Sequence, residues 1–392
     1  MSERFDEIIS RTGTFCTQWD YTEDRFGEKD IIPFSISDMD FQSPPEILHA
    51  IKERTNHGVF GYTRWNHHSF KASISGWYKE RFSAHIEDDW IVYSPSVIYT
   101  ISKLIELLTE EEDAIVMQLP AYDAFFNQIK TSKRELLKNN LIYKEGKYHL
   151  DYDDLENKLA YRKTKVLLLC NPHNPTGRVW TKEELVKIIE LCECHDVKVI
   201  SDDIHMDVVY DGHSYTPVTS VTKNLDNVYV CTSASKTFNT PGLGGSYAFI
   251  PNEKIREQFL NVIKFQDGLS SASIFGILAI MEGYQHAAYW VDELKSYLYN
   301  NMKMVKDFID RELPDLKFTM PESTYLAWID CSGLNKTSSE LQNSLVQNGK
   351  VGIMSGDVYG AEQGPFLRMN IGCPEAKVLE GLKRLKLSID LL

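Results

Sequence analysis

The sequence predicts an α/β fold: a mostly parallel sheet with helices on both faces, joined to a smaller α+β domain. Three observations predict it. Short apolar runs recur along the first two thirds of the chain, as in Trp90-Ile-Val-Tyr, Lys165-Val-Leu-Leu-Leu-Cys and Val228-Tyr-Val-Cys. Stretches of helical period separate them, which is the pattern of βαβ units. From about residue 290 that alternation gives way to one long amphipathic stretch, short strands and turns.

In chain order, residues 1–45 read as an N-terminal arm and part of the small domain. Ser43-Pro-Pro-Glu then opens a helix, with a Ser cap, prolines in the first turn and an acid near the positive end. Asn56 to Arg64 is a glycine-punctuated loop carrying Tyr62. Residues 46–288 form the large domain. There, Trp90 to Leu108 reads as strand, turn and helix, with apolar residues at Val97, Ile98, Ile101, Leu104, Ile105 and Leu108. Such a helix start offers free N–H groups to an anion.

Asp113-Ala-Ile-Val-Met-Gln is the next strand, and Lys165 to Cys170 another, ending in Asn171-Pro-His-Asn-Pro-Thr-Gly. Thr181 and Glu184 form a capping box for the following helix. Val197-Lys-Val-Ile-Ser-Asp-Asp-Ile-His is a strand with acids and a His at its end. Val228 to Cys231 leads to Ser233-Ala-Ser-Lys-Thr-Phe-Asn-Thr-Pro-Gly-Leu-Gly-Gly, a loop with one lysine among small and hydroxyl residues. Residues 289–392 form the C-terminal small domain. They comprise a helix from Tyr289 to Leu313, strands near Lys317 to Pro321 and Tyr325 to Asp330, a glycine-rich stretch from Gly356 to Arg368, and a last helix from about Ala376 to Ile389.

Ligands of parallel sheets bind at the carboxyl ends of the strands. Asn174, Asp202, His205 and Lys236 all fall at that edge. This convergence makes Lys236 a candidate for chemistry, because a desolvated amine loses its charge easily and can attack a carbonyl.

Composition narrows the function. Net charge is -14, the opposite of what a nucleic-acid or anionic-membrane surface needs. No apolar run reaches the length of a membrane span, and the N-terminus lacks the apolar core of a signal peptide. The seven cysteines are scattered. Cys192 and Cys194 stand as C-x-C without a second pair at finger spacing, so no metal site is expected. Reduced thiols and a cytoplasmic setting are the expectation.

The lysine loop, together with Asn171-Pro-His-Asn-Pro-Thr-Gly-Arg-Val-Trp and Ser201-Asp-Asp-Ile-His, resembles the fold-type-I pyridoxal-phosphate enzymes of the class I/II aminotransferase superfamily. Ser37-Asp-Met-Asp-Phe, Phe60-Gly-Tyr-Thr, Ser235-Lys-Thr-Phe-Asn, Pro321-Glu-Ser-Thr-Tyr-Leu-Ala-Trp-Ile-Asp and Phe366-Leu-Arg-Met-Asn-Ile-Gly-Cys-Pro are most similar to its cystathionine β-lyase (C–S lyase) branch, the MalY/PatB family. These motifs span nearly the whole chain.

The resemblance implies pyridoxal 5'-phosphate as cofactor, and a role for each matching residue. Lys236 matches the lysine that holds the cofactor aldehyde and acts as general base. Asp202 matches the carboxylate on the pyridine nitrogen. Asn174 is implied to bond the ring hydroxyl, with His205 near the same oxygen. Tyr122 matches the aromatic that stacks on the ring. The backbone N–H groups of Val97 and Ile98 and the Ser233 hydroxyl are implied for the phosphate. Ser96 stands where the family commonly has Gly. The arginine that many aminotransferases carry after the lysine falls here on Gly244-Gly245. Tyr62 is therefore implied to reach the phosphate of a neighbouring subunit in a homodimer with shared sites. Arg368 matches the clamp on the substrate α-carboxylate, and Ser37 has its backbone close by.

The activity implied is β-elimination of an S-substituted L-cysteine, such as cystathionine or another cysteine S-conjugate, to a thiol, pyruvate and ammonia. Two other functions fit parts of the pattern. One is an aminotransferase, which uses the same residues. The other is a regulatory binding protein, since the resembled family includes members that bind a transcription activator.

Overall fold

The computed structural model describes residues 3–392. Its centre is a seven-stranded sheet. From edge to edge the strands are Ile91–Ser94, Ser246–Phe249, Val228–Thr232, Lys198–Asp202, Thr164–Cys170, Ala114–Leu119 and Glu135–Asn140. Ser246–Phe249 alone runs against both neighbours. The remaining pairings are parallel.

Apart from the polar edge strand Glu135–Asn140, the strands are buried almost throughout because both faces are covered. Alternation along each strand then sorts the side chains into two cores. Ile115, Met117, Val166 and Leu168 pack with Ile101, Leu104 and Ile105 of the Val97–Leu108 helix and with Phe125 of the Asp123–Thr131 helix. Val116, Leu167, Leu169 and Val199 face the other way, toward Leu155 of the Tyr152–Leu159 helix and Leu185 and Ile188 of the Lys182–Cys194 helix. The expected capping box of that last helix forms between Thr181 and Glu184.

A smaller antiparallel sheet has the order Leu326–Asp330, Phe366–Asn370, Met354–Ser355. Helices Ala288–Glu312 and Glu375–Asp390 cover it through Leu298, Met302, Val305, Val378 and Leu382. Ile32–Pro33 pairs in parallel with Val351–Gly352, which ties the N-terminal segment to this layer. Among the described residues, no helix is long and apolar enough to cross a membrane.

Two local expectations are corrected. The helix after Ser43 runs Pro45–His57 and is preceded by Pro44 at its cap position, without a side-chain cap. The Ser43 hydroxyl donates instead to the carbonyl of Asn239, at 3.2 Å, in the lysine loop. The strand expected at Lys317 to Pro321 reduces to a single bridge between Lys317 and Asp330. Pro321 lacks the N–H that a continuing ladder needs.

Candidate active site

The carboxyl ends of the central strands open on a cavity of about 370 Å³. Lys236, Asp202, Asn174, His205, Tyr122, Val97, Ile98, Ser233, Ser37 and Arg368 all line it. They arrive from different elements, which the topology brings to one edge. Tyr62 stands apart. It is fully exposed and lies outside the cavity.

Lys236 follows the Val228–Thr232 strand, and its Nζ donates to the carbonyl of Ser37. Burial pushes the amine down to about 8; Asp38 pulls it up, Arg368 pushes it further down, and Asp202 pulls it up. A free-base fraction near neutral pH follows. Tyr325 Oη also donates to Ser37 O, at 2.9 Å.

Asp202 ends its strand inside the cavity. Burial raises its carboxyl to about 7, although the Ile204 N–H (3.1 Å) and the charge of Lys236 pull the other way. Its second oxygen receives no hydrogen bond from any described residue. A buried carboxylate in this condition fits a cationic N–H partner. Asp203 points into the protein, where Ser201 and Tyr215 donate to it. His205 is buried with its Nδ1 unpartnered, and its ring meets Tyr325 edge-on. Burial, with the charges of Lys236 and Arg368, lowers it to about 3, so it is a neutral imidazole.

Arg368 is held in the Phe366–Asn370 strand. Its Nη2 donates to Ser35 O at 2.7 Å and its Nη1 to Asn174 Oδ1 at 3.2 Å, while Nε is buried and unpartnered. The guanidinium lies 4.4 Å from the Tyr359 ring centre. Asn174 therefore touches the arginine as well as facing the cavity.

The opposite end of the cavity is built for an anion. Ser96 caps the Val97–Leu108 helix by accepting from Tyr99 N at 3.2 Å, so a serine there keeps the helix start intact. The Ser233 hydroxyl is engaged within the protein, donating to Gly245 O at 2.9 Å and accepting from Ser235 N at 3.0 Å. Ser235 lines the same end. Gly244 and Gly245 have φ of 71° and 99°, in the left-handed region. A Cβ on Gly276 of the Ile274–His286 helix would meet Gly244 O at 2.1 Å. At Gly244 and Gly245, where many aminotransferases carry an arginine, the left-handed backbone rather than lack of space disfavours a side chain: a Cβ on Gly244 would meet nothing closer than Ser273 Cβ at 3.8 Å, and one on Gly245 would approach Gly276 Cα to 3.3 Å.

Sequence reasoning missed Arg25, Asp123, Ser235, Met354 and Tyr359, which also line the cavity. Ser235 adjoins the lysine and could have been found on that ground. Arg25, Met354 and Tyr359 come from distant segments without a motif of their own.

The residues present fit pyridoxal phosphate. Lys236 offers an amine for an aldehyde, Asp202 an unpaired buried carboxylate for a ring N–H, Tyr122 an aromatic face, and the helix start an anion seat.

Comparison with known proteins agrees with this geometry. A family model described as aminotransferase class I and II matches residues 29–385. Protein MalY of Escherichia coli is 42% identical over 96% of this chain and 96% of its own length. Cystathionine beta-lyase PatB of Bacillus subtilis is 37% identical over 98% of this chain and 100% of its own. The crystal structure of cystalysin from Treponema denticola, which contains a pyridoxal 5'-phosphate cofactor, superposes with a TM-score of 0.94 at 31% identity, covering 100% of both chains.

Proposed function

This chain belongs to the class I and II aminotransferase family, and on that premise we propose that it is a pyridoxal-phosphate-dependent carbon–sulfur β-lyase. It releases a thiol, pyruvate and ammonia from an S-substituted L-cysteine. The observation that carries the assignment is the placing of the Lys236 amine, lowered to about 8, in one cavity with Asp202 and Arg368.

When bound, pyridoxal phosphate supplies an electron sink for the pair left on Cα. The side chains do the rest. Lys236 would hold the cofactor aldehyde and would serve as the base for the Cα proton. Asp202 holds the proton on the ring nitrogen. Asn174 bonds the ring hydroxyl, and neutral His205 stands near the same oxygen. Tyr122 covers one ring face. The N–H groups of Val97 and Ile98, with Ser235, seat the phosphate; the Ser233 hydroxyl, whose proton goes to Gly245 O, joins them only if that bond is exchanged. Arg368 clamps the substrate carboxylate in a fork that lysine cannot imitate.

A homodimer with shared sites is part of the proposal. Val59, Phe60 and Tyr62 form an exposed apolar loop that leans on Phe275, as expected of a surface that a second copy covers. Tyr62 of the partner subunit would then complete the phosphate seat. Division into residues 1–45, 46–288 and 289–392 and a cytoplasmic setting complete the proposal.

The test is a panel of cysteine S-conjugates assayed for pyruvate and free thiol with no keto acid added. Borohydride trapping of the cofactor on Lys236 serves as control. Transamination without thiol release would reassign the protein to the aminotransferases.

A further inference from the structure

The segment from Ile36 to Phe41 passes over Lys236 and is tied down from three sides. Asn239, just beyond the lysine, accepts from Met39 N at 3.0 Å and donates to Met39 O at 2.8 Å and to Phe41 O at 2.7 Å. Asn370, just beyond Arg368, donates to Ile36 O and to Asp38 O. Arg11, from the N-terminal arm, donates to Asp38 Oδ2 at 2.7 Å and to Asp40 Oδ1 at 2.9 Å. Asp40 is fully engaged, since Trp19 Nε1 (3.0 Å) and Lys377 Nζ (2.6 Å) donate to it as well.

Asp38 is not. Its Oδ1 is shut off from solvent and accepts no hydrogen bond from any described residue. An acceptor left this way is costly, so the fold gains whenever a cationic donor is drawn to it. The next residue back is Ser37, whose carbonyl already receives the Lys236 amine. Asp38 and Lys236 also line a second pocket of about 670 Å³, open to the surface, which shares Ile36, Lys236 and Pro241 with the cofactor cavity.

Building on the lyase assignment, we infer that Asp38 is a positioning residue that compensates the ammonium Lys236 becomes on taking the Cα proton, so that Lys236 can hand this proton to the departing sulfur. The step balances. The Cα–H bond breaks and an N–H bond forms on Lys236. The electron pair left on Cα forms the Cα=Cβ bond as the C–S bond breaks, the C–S pair leaving with sulfur. That N–H bond then breaks and an S–H bond forms, which restores the neutral amine. No oxidant or reductant is consumed. The thiol leaves through the second, open pocket. The groups facing Lys236 are Asp38, Asp202, Arg368 and the neutral His205, and among the charges on the amine the pull of Asp38 is the largest.

The test compares two leaving groups in the holoenzyme. S-ethyl-L-cysteine releases a weakly acidic alkyl thiol, which needs a proton as it leaves. S-(4-nitrophenyl)-L-cysteine releases an acidic aryl thiol, which does not. Asp38→Asn is expected to lower kcat for the ethyl substrate about tenfold or more, and for the aryl substrate less than about threefold. The pH midpoint of the bound cofactor's visible absorbance is expected to fall, because a negative charge beside Lys236 is lost. Asp38→Ser carries the same expectations should Asp38→Asn fold poorly. Equal losses on both substrates, or an unmoved midpoint, overturn the inference while leaving the lyase assignment standing. Wild-type protein that releases pyruvate from neither substrate would remove the lyase assignment itself.

Discussion

Arg368 is fixed before any substrate arrives, between Ser35 O, Asn174 Oδ1 and the face of Tyr359. Replacing it by lysine keeps a charge and loses the fork. Arg368→Lys is expected to raise KM by about 10- to 100-fold, measured by initial rates of pyruvate release. Asp202 gives a pH prediction. Burial lifts its carboxyl from 3.8 to about 7, so between those values the folded chain binds a proton that the unfolded chain has released. The stability this group contributes to the cofactor-free protein is full below about 3.8 and is lost as pH rises through about 7. Thermal melts of cofactor-free protein from pH 5 to 8 are expected to fall more steeply for wild type than for Asp202→Asn. Equal slopes would show that Asp202 is not the buried, unpaired acid described. At this scale the motif-borne residues were legible, since Lys236, Asp202, Asn174 and Arg368 each carry a local pattern. Arg25 and Tyr359 were not, because only folding brings them to the cavity.

Among elements, the lysine loop and the Ile274–His286 helix depend on each other through glycine. Gly276 approaches the Gly244–Gly245 backbone so closely that a methyl group cannot enter without a shift. Gly276→Ala is expected to destabilise the protein by about 1–3 kcal/mol in denaturant melts. It should also weaken cofactor retention, because Gly244 and Gly245 line the cavity. A variant with wild-type stability and retention would contradict the contact. The strands and most helices could be read in advance from two periods, the alternation along strands and the 3.6-residue repeat. The Ser43 cap was misread because its hydroxyl bonds a carbonyl of the distant lysine loop, and long-range bonds leave no local signature.

For the whole molecule, the proposal needs a second chain. Tyr62 is fully exposed and Phe60 and Val59 largely so, which a lone chain leaves unexplained. If Tyr62 serves the partner subunit's site, Lys236→Ala and Tyr62→Ala damage different chains of each site. Mixed after mild dissociation, the two inactive variants are expected to regain activity, because one site of each hybrid keeps both residues. No recovery in hybrids shown to have formed would place Tyr62 in its own subunit's site or in none. The division of the chain into layers could be read from where alternation stops. That Tyr62 serves a second copy was implied by the resemblance alone, since no local pattern in the sequence tells which apolar side chains folding leaves on the surface. The central claim, a lyase built around Lys236, has a direct measurement: pyruvate and free thiol from L-cystathionine or an S-alkyl-L-cysteine, with pyridoxal phosphate and no keto acid. The expected result is equal amounts of the two products from wild type and none from Lys236→Ala. Wild type that forms neither product across the panel, or Lys236→Ala that forms both at the wild-type rate, would contradict it.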